Sequence, residues 1–330
     1  MKITHSIALF IGSVSLSFSL LEGSAAHAQE LARIRVGVSG TGTHQYTQEL
    51  ARKMGIFRKN GLDPLIVYVN SGSLLSQALI GGSFDLAASQ GAEAILAKLR
   101  GADQRIVASI ANRFNHVFLT VPGITSIKQL KGKKVAVSRI GSGSHFMTNL
   151  VIKEGGLEPE RDIAVLQIGN SSARLAAIFA RSVEGSIMTG DLIPLARREK
   201  LNLLVDLAET KLEYPFLTLN VLGSTLERNP RIVKAFIKSI AEAIRLFKTD
   251  RKAARESVRT VLRTDDPETL EFAVARTAKL LEHRPYPTPA GVQMVLEELS
   301  EREPKAKTAR FEDAVDLRLL KELEREGVFQ

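Results

Sequence analysis

Residues Gly55–Ser89, GIFRKNGLDPLIVYVNSGSLLSQALIGGSFDLAAS, read as strand, loop, helix, turn and strand in succession. Two β-rich runs, Leu65–Val69 and Phe84–Ala88, flank Leu74–Ile80, where Leu74, Leu75, Ala78 and Leu79 share one face at helical spacing. Gly81-Gly82 stops the helix, because glycine enters the left-handed region without a Cβ clash. The result is a βαβ unit. Between its first strand and its helix, Asn70-Ser71-Gly72-Ser73 places hydroxyls and free backbone N–H groups where a helix begins, a setting that suits an anion.

Upstream, Ile34, Val36 and Val38 alternate with Arg35 and Gly37, so Ile34–Ser39 is a first strand. Gly40-Thr41-Gly42-Thr43-His44 then enters a helix through Tyr46, Leu50 and Met54. Downstream come Ser89-Gln90-Gly91, a helix near Ala92–Arg100 and a strand Arg105–Ile110. Right-handed crossovers make these four strands parallel. Ligands of such sheets lie outside the carboxyl ends of the strands. That rule selects Gly40, Thr41, Thr43 and His44, then Ser71, Gly72 and Ser73, then Ser89 and Gln90, and finally Asn112 and Arg113. Small polar residues also make good turns and caps, but their coincidence at four strand ends favours a site.

From Val117 the scheme repeats: strand Val117–Val121, a short Ser126–Leu130 helix, and strand Lys134–Ser138. Arg139-Ile140-Gly141-Ser142-Gly143-Ser144-His145 follows, opening a helix that stops at Gly155-Gly156. Glycines there let the backbone turn its N–H groups inward, Ser142 and Ser144 add donors, and the helix dipole contributes about 0.3–1 kcal/mol toward a negative charge. This is the best anion-binding candidate in the chain. It is neither a Walker loop nor a dinucleotide fingerprint, since no Lys-Ser/Thr pair follows and Phe146 stands where a third glycine is needed. Strand Ile163–Ile168 ends at Gly169-Asn170, and Ser186–Met188 at Thr189-Gly190-Asp191, which adds Asn170, Thr189 and Asp191. A β-rich return through Leu203–Leu207 and Tyr214–Leu222 precedes helices at Pro230–Phe247, Arg251–Leu262, Pro267–Leu281, Pro289–Ser300 and Asp313–Glu326. Hinges are placed in that return and near Asn112–His116. The expected organisation is lobe 1 over residues 29–115 and 213–330, and lobe 2 over 116–212.

The chain opens with Lys2, an apolar run Ile7–Leu21 and Ala26-His27-Ala28, the layout of a secretory signal cut after Ala28. Fifteen apolar residues fall short of the ~20 that span a bilayer, so a periplasmic or otherwise exported protein is expected. No cysteine is present, which excludes disulfides and a lipid-anchored cysteine. A net charge of +9 accompanies no aromatic–basic interleaving and no zinc-finger spacing, so nucleic acid is not an expected partner.

GIFRKNGLDPLIVYVNSGS followed by QALIGGSFDLAAS resembles the substrate-binding proteins of ABC importers, in the group of sulfonate, taurine, nitrate and thiamine-pyrimidine-precursor binders. GITSIKQLKGKKVAVSRIGSGSHF and PFLTLNVLGSTLERNPRIVKAFIKSIAEAI continue the likeness. It implies an α/β, two-lobed, type II periplasmic-binding fold, each lobe a mostly parallel sheet flanked by helices, joined by a two-segment hinge. It also implies hinge closure on a small solute, delivery to a membrane permease with its ATPase, and no enzymatic activity or cofactor.

Other chemistries are poorly signalled. His44, His116 and His145 fall in or near the strand-end loops, but their spacing fits no helix-borne metal-ligand pair. No Gly-x-Ser-x-Gly elbow supports a hydrolase, and the cysteines of the yeast-type pyrimidine synthase and of porphobilinogen deaminase have no counterpart. A LysR-type regulator needs a helix-turn-helix where this chain has its leader. Arg113 and Arg139 sit where two parallel hydrogen bonds to a carboxylate or sulfonate are expected, so an organic anion is the expected ligand. A pyrimidine-type heterocycle is the rival, with Tyr46 and Phe146 as stacking candidates. A ligand-sensing module for a membrane receptor is the other class.

Overall fold

The computed structural model describes residues 30–40 and 42–330. The expected leader, Met1–Ala28, and the candidate Thr41 lie outside the described residues. Among the described residues ten strands form two sheets: β1 Ala32–Ser39, β2 Leu62–Val69, β3 Leu86–Ser89, β4 Gln104–Arg113, β5 His116–Thr120, β6 Lys134–Val137, β7 Ala164–Gln167, β8 Gly185–Thr189, β9 Asn202–Asp206 and β10 Glu213–Leu222. The orders are β2-β1-β3-β10-β4 and β7-β6-β8-β5-β9.

The two orders share one plan. In the first sheet β1 runs parallel to β2 and β3, and β10 runs antiparallel between β3 and β4. In the second β6 runs parallel to β7 and β8, and β5 runs antiparallel between β8 and β9. Each sheet is thus completed by the strand that has just crossed from the other, which arrives in the opposite direction. This is the type II periplasmic-binding arrangement anticipated above. Among the described residues no helix is long and apolar enough to cross a membrane.

Alternation in β1 buries Ile34, Val36 and Val38, and the helix Thr43–Lys53 lays Tyr46 and Leu50 over them. Gly37 lets the helix Gly72–Ile80 approach closely, since a Cβ there would lie 2.1 Å from Leu75 Cδ1. That helix closes on Gly82, at φ +76°, whereas Gly81 keeps an ordinary φ of −74°. The helix Pro230–Thr249 buries Val233, Phe236, Ile237, Ile240, Ile244 and Phe247, one stripe at helical spacing. Phe236 stacks on Phe57 at 5.3 Å.

Two expectations fail for the same reason, tertiary pairing. Ala111–Arg113 is not loop but the end of β4, because Glu213 of β10 pairs with Arg113. The tail is not one helix over Asp313–Glu326 but two, Phe311–Ala314 and Arg318–Arg325, because Val315 bridges to Ile106 and Asp316 N–H donates to Ile106 O at 2.9 Å.

The chain passes between the sheets at 114–115 and 207–212, and one side chain holds both crossings. Arg276, from the helix Pro267–Leu280, pairs with both Asp206 oxygens at 2.7 and 2.9 Å and donates to Asn115 Oδ1. Asn115 Nδ2 in turn donates to Thr43 Oγ1 at 2.7 Å.

Candidate functional site

Four helices begin at the carboxyl ends of their strands and aim their N-termini at one narrow space between the sheets. Their caps are local. Ser71 accepts from Leu74 N–H, Ser142 from His145 N–H, and Asn170 from Ala173 N–H, each a side chain satisfying an otherwise unpaired donor of the first turn. The helix Gly91–Leu99 starts with a capping box, in which Glu93 Oε2 accepts from Gln90 N–H at 2.9 Å.

The space is a cavity of about 40 Å³, lined among others by Gly40, His44, Ser71, Gly72, Gln90, Gly143, Ser144, Asn170 and Thr189 of the expected residues. A water needs about 10–15 Å³ by this measure, so the cleft is nearly shut. Contacts reach across it, Asn170 Nδ2 to Asn70 Oδ1 at 3.4 Å and Gly143 N–H to Glu93 Oε1 at 2.7 Å, and Thr43 Oγ1 donates to Asp191 Oδ2 at 3.0 Å away from the cavity.

The remaining candidates lie elsewhere. Thr43 and Asp191 are buried but do not line the cavity, and burial raises the Asp191 carboxyl above its ordinary range. Ser73 touches Ser71 Oγ at 3.0 Å without lining the cavity. Ser89 accepts from Asn220 Nδ2 at 3.0 Å, and Asn112 donates to Tyr286 O at 2.7 Å, so both serve internal structure. Ser142 and His145 face a separate groove of about 260 Å³.

Neither expected arginine reaches the cleft. Arg139 is exposed, because its carbonyl accepts from Ser142 N–H and Oγ and holds the turn with the side chain outward. Arg113 ends a paired strand and lines a third cavity, about 460 Å³, beside the chain crossings.

Arg174 takes the place expected of them. It lies in the helix Ser171–Phe179, is only 4% exposed, and lines the cleft. Its guanidinium donates to Ser186 Oγ at 3.0 Å, Ser171 Oγ at 3.2 Å, Ile187 O at 3.1 Å and Gly169 O. All four acceptors are neutral, and of five N–H groups one, on Nη1, is left over. Burial lowers its pKa to about 10, so it stays charged at neutral pH without a carboxylate partner among the described residues. A buried charge of this kind is costly unless an opposite charge joins it.

His44 and His116 complete the wall. Both stand edge-on to Phe216, with ring centroids at 4.9 and 5.0 Å, and both rings are buried. Among the described residues neither His44 nitrogen has a protein partner, and His116 Nδ1 has none. Burial lowers His44 to about 3, and burial followed by the neighbouring charges lowers His116 as well. The cleft therefore presents neutral imidazoles at pH 7. His145 does not join them. Its Nδ1 accepts from Gly141 N–H at 3.2 Å and its Nε2 faces Glu160 at 3.2 Å, so the three histidines do not converge. The proposed stacking partners are also committed elsewhere: Tyr46 against Phe247, and Phe146 against Tyr214.

Sequence reasoning missed Ser39, Glu93, Ser138, Ser171 and Arg174 as cleft residues. One signal was available for Arg174: a cation so near a helix N-terminus opposes the macrodipole, so something other than helix stability holds it there.

Comparison with known proteins agrees with this architecture. The family described as NMT1/THI5 like matches residues 48–254. The alkanesulfonate-binding protein SsuA from Xanthomonas axonopodis pv. citri, bound to MOPS, is 20% identical, with 87% of this chain and 99% of that one covered and a TM-score of 0.73. The nitrate-binding protein NrtA from Synechocystis PCC 6803 is 14% identical over 91% and 90%, at 0.72. A zinc-bound ligand-binding component of an ABC-type import system from Staphylococcus aureus is 16% identical over 88% and 98%, at 0.70. These are likenesses of fold.

Proposed function

The chain belongs to the NMT1/THI5-like family, and from that premise we propose that it is an extracytoplasmic solute-binding protein of an ABC importer. It captures a small organic anion, a sulfonate or carboxylate, between its two lobes by hinge closure and delivers it to a membrane permease served by an ATPase. The lobes divide at the chain crossings, with residues 29–115 and 213–330 in one and 116–212 in the other. Arg174 carries the reading: a buried, uncompensated guanidinium with a donor to spare, facing a cavity ringed by helix N-termini. An anion there supplies the missing charge. Arg174 replaces Arg139 and Arg113 as the expected anchor.

Binding rather than catalysis fits the polar groups. Ser138, Ser142 and Ser144 bond to one another at 2.8–3.0 Å, and neither cleft histidine has a serine partner. Fold relatives whose names specify sulfonate, nitrate and import-system ligands point the same way.

Calorimetry and thermal shift against ethanesulfonate, taurine, nitrate, acetate and benzoate test the reading. A ligand at 100 times its Kd adds about 2.7 kcal/mol of stability. Arg174→Met is expected to weaken the best anion by about 1.5–3 kcal/mol, the worth of a charged hydrogen bond, and Arg174→Lys by less. Unchanged affinity in a folded Arg174→Met protein refutes it.

A further inference from the structure

The strongest anion signal in the sequence, the glycine-serine start of the helix Gly143–Glu154, already has a carboxylate on it. Glu93 Oε1 accepts from Gly143 N–H at 2.7 Å, and Oε2 accepts from Gln90 N–H at 2.9 Å. The same carboxylate presses on a third helix start, since a Cβ on Gly72 would lie 2.0 Å from Oε1. Beside it, a Cβ on Gly143 would lie 2.0 Å from Gln90 Oε1, which itself accepts from Tyr214 Oη at 2.8 Å. Gly72 and Gly143 are thus required by the side chains packed against them, not by a free solute.

We propose that Glu93 is a built-in anion, fixed on the helix starts at Gly72, Gln90 and Gly143, that limits the cleft to ligands bearing a single anionic group. This rests on the reading of Arg174 as the anchor. With Glu93 in place the cleft keeps one open position for negative charge, at Arg174, and a second anionic group on a ligand meets a carboxylate instead of free N–H groups. Glu93 is 3% exposed, so water does little to screen that repulsion. Burial raises its carboxyl to about 7, against the lowering influence of the Gly143 and Gln90 amides. In either protonation state the side chain fills the position.

Two measurements on the full chain test this, comparing wild type with Glu93→Ala and Glu93→Gln. Formate is expected to raise the Tm of Glu93→Ala by several degrees and that of the wild type by far less, because only the variant has vacated the helix starts. Calorimetry with ethanesulfonate and ethane-1,2-disulfonate is expected to show at least a tenfold preference for the monoanion in wild type and a ratio at least tenfold smaller in Glu93→Ala. An equal formate response in the two proteins overturns the proposal, as does an unchanged ligand ratio. Should neither sulfonate bind either protein, the Arg174 reading fails, and the formate comparison still decides whether Glu93 is an internal anion. If Glu93→Ala does not fold, Glu93→Gln carries the ligand ratio: its amide still fills the position but removes the repulsion, so a smaller fall in the preference for the monoanion is expected, and an unchanged ratio overturns the proposal.

Discussion

Protonating His44 should unfold the protein in a range of pH where an exposed histidine would be harmless. Its ring is buried against Phe216 with no partner for either nitrogen among the described residues, and burial lowers its pKa from 6.5 to about 3. The unfolded chain therefore binds a proton below 6.5 that the folded chain refuses until about 3. Stability rises with pH wherever the unfolded state holds more protons, so this contribution is complete above 6.5 and drains away as the pH falls toward 3. Each pKa unit is worth about 1.36 kcal/mol, giving a loss of about 2.7 kcal/mol at pH 4.5 and about 4 kcal/mol at pH 3. His116 acts in the same direction. Urea denaturation of wild type and His44→Gln at pH 7.5 and 4.5 isolates the effect, because glutamine does not titrate and the difference between the proteins cancels every other group. The gap should move about 2.7 kcal/mol in favour of the variant on acidification. A gap constant to within about 0.5 kcal/mol would show that the folded protein protonates His44 normally and that the ring is not sealed in the cleft wall.

Glu93→Gln should show the opposite slope. The folded carboxyl titrates near 7 against an ordinary 4.5, so the wild type loses stability as pH rises through that window. From pH 4.5 to 7 the difference in unfolding free energy between the two proteins, from urea denaturation, should shift by about 2.6 kcal/mol in favour of glutamine, and a constant difference would refute the raised carboxyl. Gly37→Ala should destabilise by about 1–3 kcal/mol through overpacking, since Leu75 Cδ1 lies 2.1 Å from the new Cβ; an unchanged urea midpoint would mean that the helix simply slides aside. Asp206→Asn leaves the Arg276 charge without its carboxylate between the two chain crossings. It should cost about 1–3 kcal/mol and increase amide exchange at residues 112–116 and 206–213, and unaltered exchange there would refute the brace.

The alternation of Ile34, Val36 and Val38 and the spacing of Leu75 and Leu79 reveal the βαβ plan because both patterns are imposed by the local geometry of the chain. Where the reading of the sequence went astray, a distant partner decides. Arg113 is strand because Glu213 lies beside it, and the tail breaks at Val315 because Ile106 captures it. Both partners lie a hundred or more residues away, and no short window on the sequence contains both members of either pair.

The cleft divides along the same line, and its division explains why the helix starts were legible in the sequence while the buried guanidinium beside them was not. Caps act over three residues, so Ser71, Ser142 and Asn170 announce helix starts in the sequence itself. What sits on those starts is settled by side chains from other elements. Glu93 looks complete as the last member of a capping box with Gln90, yet the box uses one carboxylate oxygen and leaves the other free to take Gly143 from the opposite sheet's helix. Arg174 looks like a polar neighbour of buried Leu175, yet its turn of helix carries it back over Asn170 and Ser171 to the cavity. Arg139, a few residues from the best helix start, was the natural cation to choose by proximity along the chain, and the turn it closes points it away. Helix starts on both sheets make the cleft attractive to negative charge in general. If the cleft takes an anion as proposed, the start filled from within by Glu93 and the start left open beside Arg174 turn that attraction into a choice among anions.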